Sequence, residues 1–286
     1  MESALGTDFD LKAFEGLSEA GYFPIHTTGP TGLYLNYADS GERAARRPMG
    51  VMFWLARAYG NADYAASEHA AVAERGASAE HLVWYVSPPH EGPADELARM
   101  FRGPVEVAMM RSAWNDPDAL FVGVKAGYNQ VAHGHLDLGT FELDALGVRW
   151  ARDLGSDDYN MPGYRNARKG GQRWDYFRLN TFSHNVPTLD GEGQDADATS
   201  TFLDFTAGDA PHALIDVTEA YAPAASRALR GLALVDGRRA ALVQDKFTLS
   251  AETDIAWGMT TDAEITIGDN GSAVLRQDGQ TLTASV

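Results

Sequence analysis

From about Val105 onward the chain is cut into short runs of alternating texture, and this punctuation most limits the folds open to it. Runs that read as strands are Val105–Met110, Leu120–Lys125, Gly139–Leu146, Arg149–Leu154, Ala213–Val217, Arg227–Val235, Ala240–Phe247, Ile255–Met259 and Glu264–Ile267. A last strand-like run, Thr281–Val286, stops without a terminal turn. Gly and Asp turns separate the runs, as in Val235-Asp236-Gly237 and Gly268-Asp269-Asn270-Gly271. Strands at such spacing predict an antiparallel sandwich or barrel. The acidic tract 190–209 reads as a solvated loop and strand edge. The N-terminal stretch has a different texture. Pro48–Tyr59 carries Met49, Met52, Phe53, Leu55 and Ala56 at helical spacing, with Gly60 as a stop, and Ala62–Arg75 closed by Gly76 predicts a second helix. Before them Gly21–Ser40 reads as loop, with a short strand at Leu33–Tyr37. Two helices cannot close a helical domain of their own. The expected organisation is therefore the end of a helical domain and a linker over 1–104, then a large antiparallel β-sandwich over 105–286.

A chain of 286 residues, 44% hydrophobic, buries roughly three quarters of its unfolded surface. Its 23 basic against 40 acidic residues give a net charge of −17. That balance argues against general nucleic-acid or anionic-membrane binding, both of which need a basic footprint. No window approaches the roughly 20 apolar residues of a membrane-spanning helix, and no signal-peptide pattern opens the chain. The absence of cysteine excludes disulfides, thiolate zinc sites and cysteine nucleophiles. Any metal must be held by histidines and carboxylates.

Three features between Tyr128 and Asn185 carry chemical potential. The first is His133-Gly134-His135-Leu136-Asp137. On a strand, residues two apart share a face, so both imidazoles and the carboxylate are expected to project together. The second is Arg149-Trp150-Ala151-Arg152-Asp153-Leu154-Gly155, a strand ending in a carboxylate before a glycine turn. The third is Ser183-His184-Asn185. Two histidines and a carboxylate are a common zinc donor set, although spacing alone favours ordinary solvated or core histidines. His26, His69, His81, His90 and His212 stand alone and read as surface or satisfied histidines. Between Arg149 and Arg178 lie seven basic and four acidic residues, so this window is at +3 and the rest of the chain at −20. Tyr159, Tyr164, Trp174, Tyr176 and Phe177 interleave with the cations. Such a patch suits an anionic sugar, since rings stack on pyranose faces and Arg grips carboxylate or sulfate. Internal Arg–Asp pairing explains the same composition.

Val131-Ala132-His133-Gly134-His135-Leu136-Asp137-Leu138-Gly139-Thr140-Phe141, Gly147 to Gly155, Tyr164, and Arg178 to Asn185 resemble the heparinase II/III family of polysaccharide lyases. Asn36-Tyr37-Ala38-Asp39-Ser40, Arg111 to Trp114, Gln194 and Asp216 to Tyr221 extend the resemblance from about Leu33 to Trp257. It implies an incomplete (α/α) toroid followed by an antiparallel β-sandwich. It implies a structural zinc held by His135, Asp153 and His184, with His133 facing the cleft as a catalytic residue. Tyr164 matches the family's tyrosine after the zinc aspartate, with Tyr159 as fallback. The family's Asn-His pair and second Tyr sit on toroid helices that would precede residue 1, so the chain reads as holding half an active site.

The reaction so implied is β-elimination on a uronic-acid glycan: a base takes the C5 proton and the C4–O bond breaks. Tyr164, with its pKa lowered by nearby cations, and His133 are expected to share the proton transfers, with Arg165, Arg168 and Arg173 near the anionic sugar. The resemblance places a full-length parent in the periplasm or outside the cell. Two rivals stand beside it. One is a sugar-binding or structural sandwich without catalysis. The other is a zinc hydrolase, since His-x-His-x-Asp resembles the start of the metallo-β-lactamase motif; that motif continues with His, where Leu138 stands here.

Overall fold

Among the described residues, the turn-punctuated half of the chain and the short stretch just before it build fourteen strands. In the computed structural model, which describes residues 5–89, 96–269 and 271–286, these are β1 (Ala98–Phe101), β2 (Val105–Arg111), β3 (Phe121–Tyr128), β4 (Phe141–Ala145), β5 (Val148–Ala151), β6 (Pro187–Leu189) and β7 (Thr199–Thr206). They continue as β8 (His212–Asp216), β9 (Ala225–Val235), β10 (Ala240–Leu249), β11 (Ile255–Trp257), β12 (Glu264–Ile267), β13 (Ser272–Gln277) and β14 (Gln280–Ser285). His90 and Asn270 lie outside the described residues. Nine strands form one antiparallel sheet in the order β1-β2-β3-β7-β8-β9-β10. One edge of β3 is shared: Phe121 to Val124 pair with β4, which pairs with β5, and Gly127 and Tyr128 pair with β7. β6 pairs with β11, and β12, β13 and β14 form a third sheet. A single core gathers Met110, Val122, Val124, Phe141, Trp150, Phe202, Ile215, Leu232 and Leu275 from these layers. The architecture is an antiparallel β-sandwich, preceded in the sequence by a few helices.

By backbone contacts the chain falls into two compact units, Gly29–Ala44 with Glu96–Val286, and Met1–Thr28 with Ala45–Asp95. The sandwich unit thus takes in a segment from far upstream. Gly29–Ala44 contains no strand; Leu33 and Tyr34 make only isolated bridges, because the segment turns back on itself through Tyr34 N–H to Ala44 O at 2.8 Å. It lies on the outer face of β2 and β3. Alternate residues of β2 point opposite ways: Ala108 and Met110 enter the main core, while Val107 and Met109 join Leu35 and Phe121 in a second cluster. Gly123 permits this approach, since a Cβ there would stand 2.7 Å from Leu35 Cδ1. β2 to β5 are consequently covered on both faces, whereas β10 alternates.

The other unit holds helices Tyr22–His26, Val51–Tyr59, Ala62–Arg75 and Ala79–Val83. The second starts three residues after Pro48 and ends at Gly60, whose φ of 63° is the left-handed stop. The Asn61 side chain caps the third by accepting from the N–H groups of Asp63 and Tyr64. Buried Glu68 accepts from Arg46 and lies 2.8 Å from His81 Nε2, so His81 is a satisfied core histidine. Among the described residues no helix is long and apolar enough to cross a membrane.

Candidate metal centre and the histidine beside it

The His133–Asp137 stretch is not a strand. It is a turn and loop between β3 and β4, and His133 takes a φ of 64°, rare for a residue with a side chain. That left-handed residue breaks the expected common face. The His133 side chain is 64% exposed, while those of His135 and Asp137 are buried.

Three loops bring the buried donors together. Asp153 follows β5. Its backbone N–H donates to Glu142 Oε1 on β4 at 3.0 Å, and its Oδ1 accepts from Gly155 N–H at 2.7 Å. Gly155 is required here: its φ is 66°, and the Ser40 carbonyl occupies the place a Cβ would take. His184 follows a 3-10 turn, Thr181–Ser183, capped by the Asn180 side chain. The next residue, Asn185, fixes the loop by donating from Nδ2 to the carbonyls of Phe141 and Arg152 and accepting from Thr260 N–H. Asp137 is held from below, where fully buried Lys125 on β3 donates to its Oδ1. Gln194 grips Leu138, accepting from its N–H and donating to its C=O, both at 2.8 Å.

His135, Asp137, Asp153 and His184 each offer a ligand atom within 4.8 Å of the others, and all four are buried. His135 Nδ1, Asp137 Oδ2, Asp153 Oδ2 and both His184 ring nitrogens lack a hydrogen-bond partner. Yet His184 Nδ1 stands 2.8 Å from Asp153 Oδ2. Buried polar atoms left without partners are expensive, and these converge on one point. The donor set fits a divalent ion such as zinc. Burial pushes the His135 imidazole toward its neutral form. His184 is held up despite burial by the Asp153 carboxylate, which is itself lowered.

One wall of this centre is Asp39, from the Gly29–Ala44 segment. Its side chain is 3% exposed. Asp39 Oδ1 accepts from the Tyr164 hydroxyl at 2.7 Å and the Arg173 guanidinium at 2.8 Å, and lies 3.1 Å from His135 Nε2. Oδ2 lies 3.0 Å from His133 Nδ1. Burial opposes ionisation of Asp39, but the hydrogen bonds from His135, Tyr164 and Arg173 outweigh it and hold the carboxyl well below the usual range.

Of the sequence-predicted residues, His133, His135, Asp153, Tyr164, Arg173 and His184 are brought together around Asp39 and the buried cluster, with corrections. Tyr164 is buried, and burial together with its bond to Asp39 pushes its pKa up to about 12, opposite to the expected fall. Exposed Tyr159, whose hydroxyl is 3.4 Å from His133 Nδ1, lies on the solvent side. Arg173 is not a surface cation. It is buried, with its fork committed to Asp39 and the carbonyls of Gly134, Tyr164 and His133. Arg149, Arg152, Lys169 and Arg178 are ion-paired internally. Among the described residues, that leaves Arg165 and Arg168 of the seven cations exposed to solvent without an ion pair. Sequence reasoning assigned no role to Asp39 or Lys125, and the ligand set implied by the resemblance left out Asp137, although its motif had placed that carboxylate with the two imidazoles. Lys125 had its own signal, a lone charge in the apolar run Phe121–Tyr128.

Residues 108–286 match the family described as Heparinase II/III-like, C-terminal. In fold the chain is similar to the heparan sulfate lyase HepC from Pedobacter heparinus, with a TM-score of 0.64 and 18% identity over 91% of this chain and 37% of that one. A crystal structure of heparinase III gives a TM-score of 0.66 at 15% identity, over 98% of this chain and 46% of that one. The chain spans less than half the length of either, and at these identities the likeness shows the fold alone. A comparison with curated proteins finds no match. The family match takes in the strands from within β2 onward, both histidine motifs and the carboxylates between them, more than half of the residues, and the chain belongs to the heparinase II/III-like family.

Proposed function

We propose that this chain carries one face of the active site of a polysaccharide lyase that cleaves uronic-acid-containing anionic glycans by β-elimination. The observation that carries this reading is His133, an exposed imidazole fixed at Nδ1 by Asp39 beside a buried metal-type cluster. Loss of the C5 proton builds negative charge next to the uronate carboxylate, so the site must supply a proton acceptor and positive or hydrogen-bonding groups. His133 presents its outer nitrogen to that proton or to the leaving oxygen. The Tyr159 hydroxyl stands ready as its partner. Arg165 and Arg168 attract the anionic chain, while Arg173 and Tyr164 act inside the protein by holding Asp39. HepC is by its name a heparan sulfate lyase, which supports a glycosaminoglycan substrate; alginate is the second uronate polymer to test. A secreted or periplasmic setting, where such polymers are met, belongs to the same proposal.

Zinc held by His135, Asp153 and His184, with Asp137 beside them, would supply a structural cross-link between the loops after β3 and β5 and the His184 turn. Burial of all four side chains favours that role over activation of water, the hydrolase reading.

The test follows the unsaturated product by absorbance on heparan sulfate and alginate with a full-length lyase that carries this face and with the 286-residue chain at high concentration, which by itself is expected to show no detectable turnover, alongside elemental analysis. His133→Ala is expected to keep about one equivalent of metal and the melting temperature while abolishing elimination by the full-length lyase. His135→Ala is expected to lose the metal. Equal loss of metal in both variants would point to a two-histidine metal site and raise the hydrolase reading. No metal in protein prepared without chelator would sink the zinc assignment.

A further inference from the structure

We infer that Asp39 is the positioning residue of this site, one carboxylate that sets opposite tautomers on the two histidines of the His133-Gly134-His135 motif. The inference rests on the reading of His133 as the proton-handling imidazole and His135 as a metal ligand, and adds how a two-residue spacing can serve both tasks. An ionised carboxylate only accepts hydrogen bonds, so a ring nitrogen that faces it at 3.0–3.1 Å must carry the proton. His133 faces Asp39 Oδ2 with Nδ1. Its proton sits there, and the Nε2 lone pair is left on the solvent side. His135 faces Asp39 Oδ1 with Nε2. Its Nδ1 lone pair is then left inside, where that atom has no hydrogen-bond partner and shares the cluster with Asp137, Asp153 and His184.

The remaining contacts keep the carboxylate in place. Tyr164 and Arg173 both donate to Oδ1, and the Asp39 backbone N–H donates to the His133 carbonyl at 3.1 Å, tying its segment to the histidine loop. Arg173 also donates to the carbonyls of His133 and Gly134, so loop and carboxylate are clamped as one unit. A free imidazole favours the proton on Nε2. Without Asp39, His133 would offer solvent a proton where elimination calls for a lone pair, and His135 would lose the partner that turns Nδ1 toward the metal.

The test is long-range proton–nitrogen correlation on the chain labelled with ¹⁵N-histidine, metal-free and with stoichiometric zinc, at a pH where both imidazoles are neutral. Expected is protonated Nδ1 on His133, protonated Nε2 on His135, and a zinc-induced shift confined to His135 Nδ1 of this pair. Asp39→Asn, with folding checked by circular dichroism, is expected to return His133 toward the Nε2–H form and weaken zinc binding in chelator competition by about 10- to 100-fold. The same tautomer on both histidines of the wild-type chain overturns the inference even if the variant does not fold. So does an Asp39→Asn protein that keeps both tautomers and binds zinc within about twofold of wild type, or one in which only one of the two properties changes. None of these readouts involves turnover, so the lyase reading and this inference fail separately.

Discussion

Tyr221 shows how a residue remote from the reacting groups still shapes their surroundings. Its hydroxyl donates to the Pro187 carbonyl at 3.0 Å and accepts from Gln194 Nε2, the amide that also grips Leu138 behind the metal cluster. Burial pushes its pKa up to about 12. The folded protein therefore retains a proton that the unfolded chain gives up near pH 10. This contribution to stability is complete below about pH 10 and is lost as the pH rises toward 12, a change on the order of 2–3 kcal/mol. Tyr221→Phe should cost about 1 kcal/mol at pH 8 through the lost hydrogen bond. Its stability should then fall less steeply than wild type between pH 10 and 12. Urea unfolding at pH 8 and 11 checks this; parallel losses in both proteins would show that Tyr221 does not titrate as described. The donors of the candidate centre differ in how far the sequence disclosed them. His135, Asp153 and His184 sit in an ordered series of motifs and are named together through the resemblance that those motifs carry. Asp39 was not, because what makes it functional is the tertiary approach of its segment, and nothing in Tyr37-Ala38-Asp39-Ser40 distinguishes it from a loop aspartate. His133 was assigned a cleft-facing role through the resemblance alone, since strand periodicity placed it on the same face as His135.

Among the elements, the Gly29–Ala44 segment covers the outer face of β2 and β3. Leu35 is 4% exposed, against Val107, Met109 and Phe121. Leu35→Ala is expected to cost about 2–5 kcal/mol, because the small Gly123 opposite leaves nothing to fill the gap. A fall in melting temperature comparable to that of a main-core truncation such as Leu232→Ala would support this. A loss under about 1 kcal/mol would mean the segment is loosely attached. The same element explains where the sequence misled: Leu33–Tyr37 has strand-like composition, but its backbone bonds turn inward and its apolar residues serve a lid. Strands such as β4, β9, β10 and β12 were visible because apolar runs end at glycine or aspartate turns. β1 and β6 are too short to show a period. β7, Thr199-Ser200-Thr201-Phe202-Leu203-Asp204-Phe205-Thr206, lies in the acidic tract, and its outward Thr201 and Asp204 disguise the buried Ser200 and Phe202. Its ladder to β8 also shifts register between Phe202 and Asp204, which breaks the alternation a strand reading relies on.

Across the whole molecule, the net charge of −17 coexists with a window of cations that is largely spent indoors. Arg149 binds Asp144 and Glu142, Arg152 binds Glu42 and Asp262, and Arg173 binds Asp39. The composition that suggested a sugar-binding surface is thus mainly internal wiring; among the described residues the exposed cations of the window are Lys169, paired with Asp195, and Arg165 and Arg168, which carry no ion pair. The upstream origin of Asp39 has a further consequence, in time. The metal donors lie between His135 and His184, whereas Asp39 meets His133 across 94 residues and Arg173 across 134. Long-range closures of this kind tend to come late in folding. The metal pocket is therefore expected to mature first and the upstream lid to dock on it afterwards. In refolding from urea, zinc uptake should precede the recovery of hydrogen-exchange protection at the Asp39 amide, which donates to the His133 carbonyl, and simultaneous recovery would rule out the order. On this order a refolding chain that had taken up zinc would still leave His133 in the tautomer of a free imidazole until the lid docks, so zinc content alone would overstate how much of the protein is ready to act.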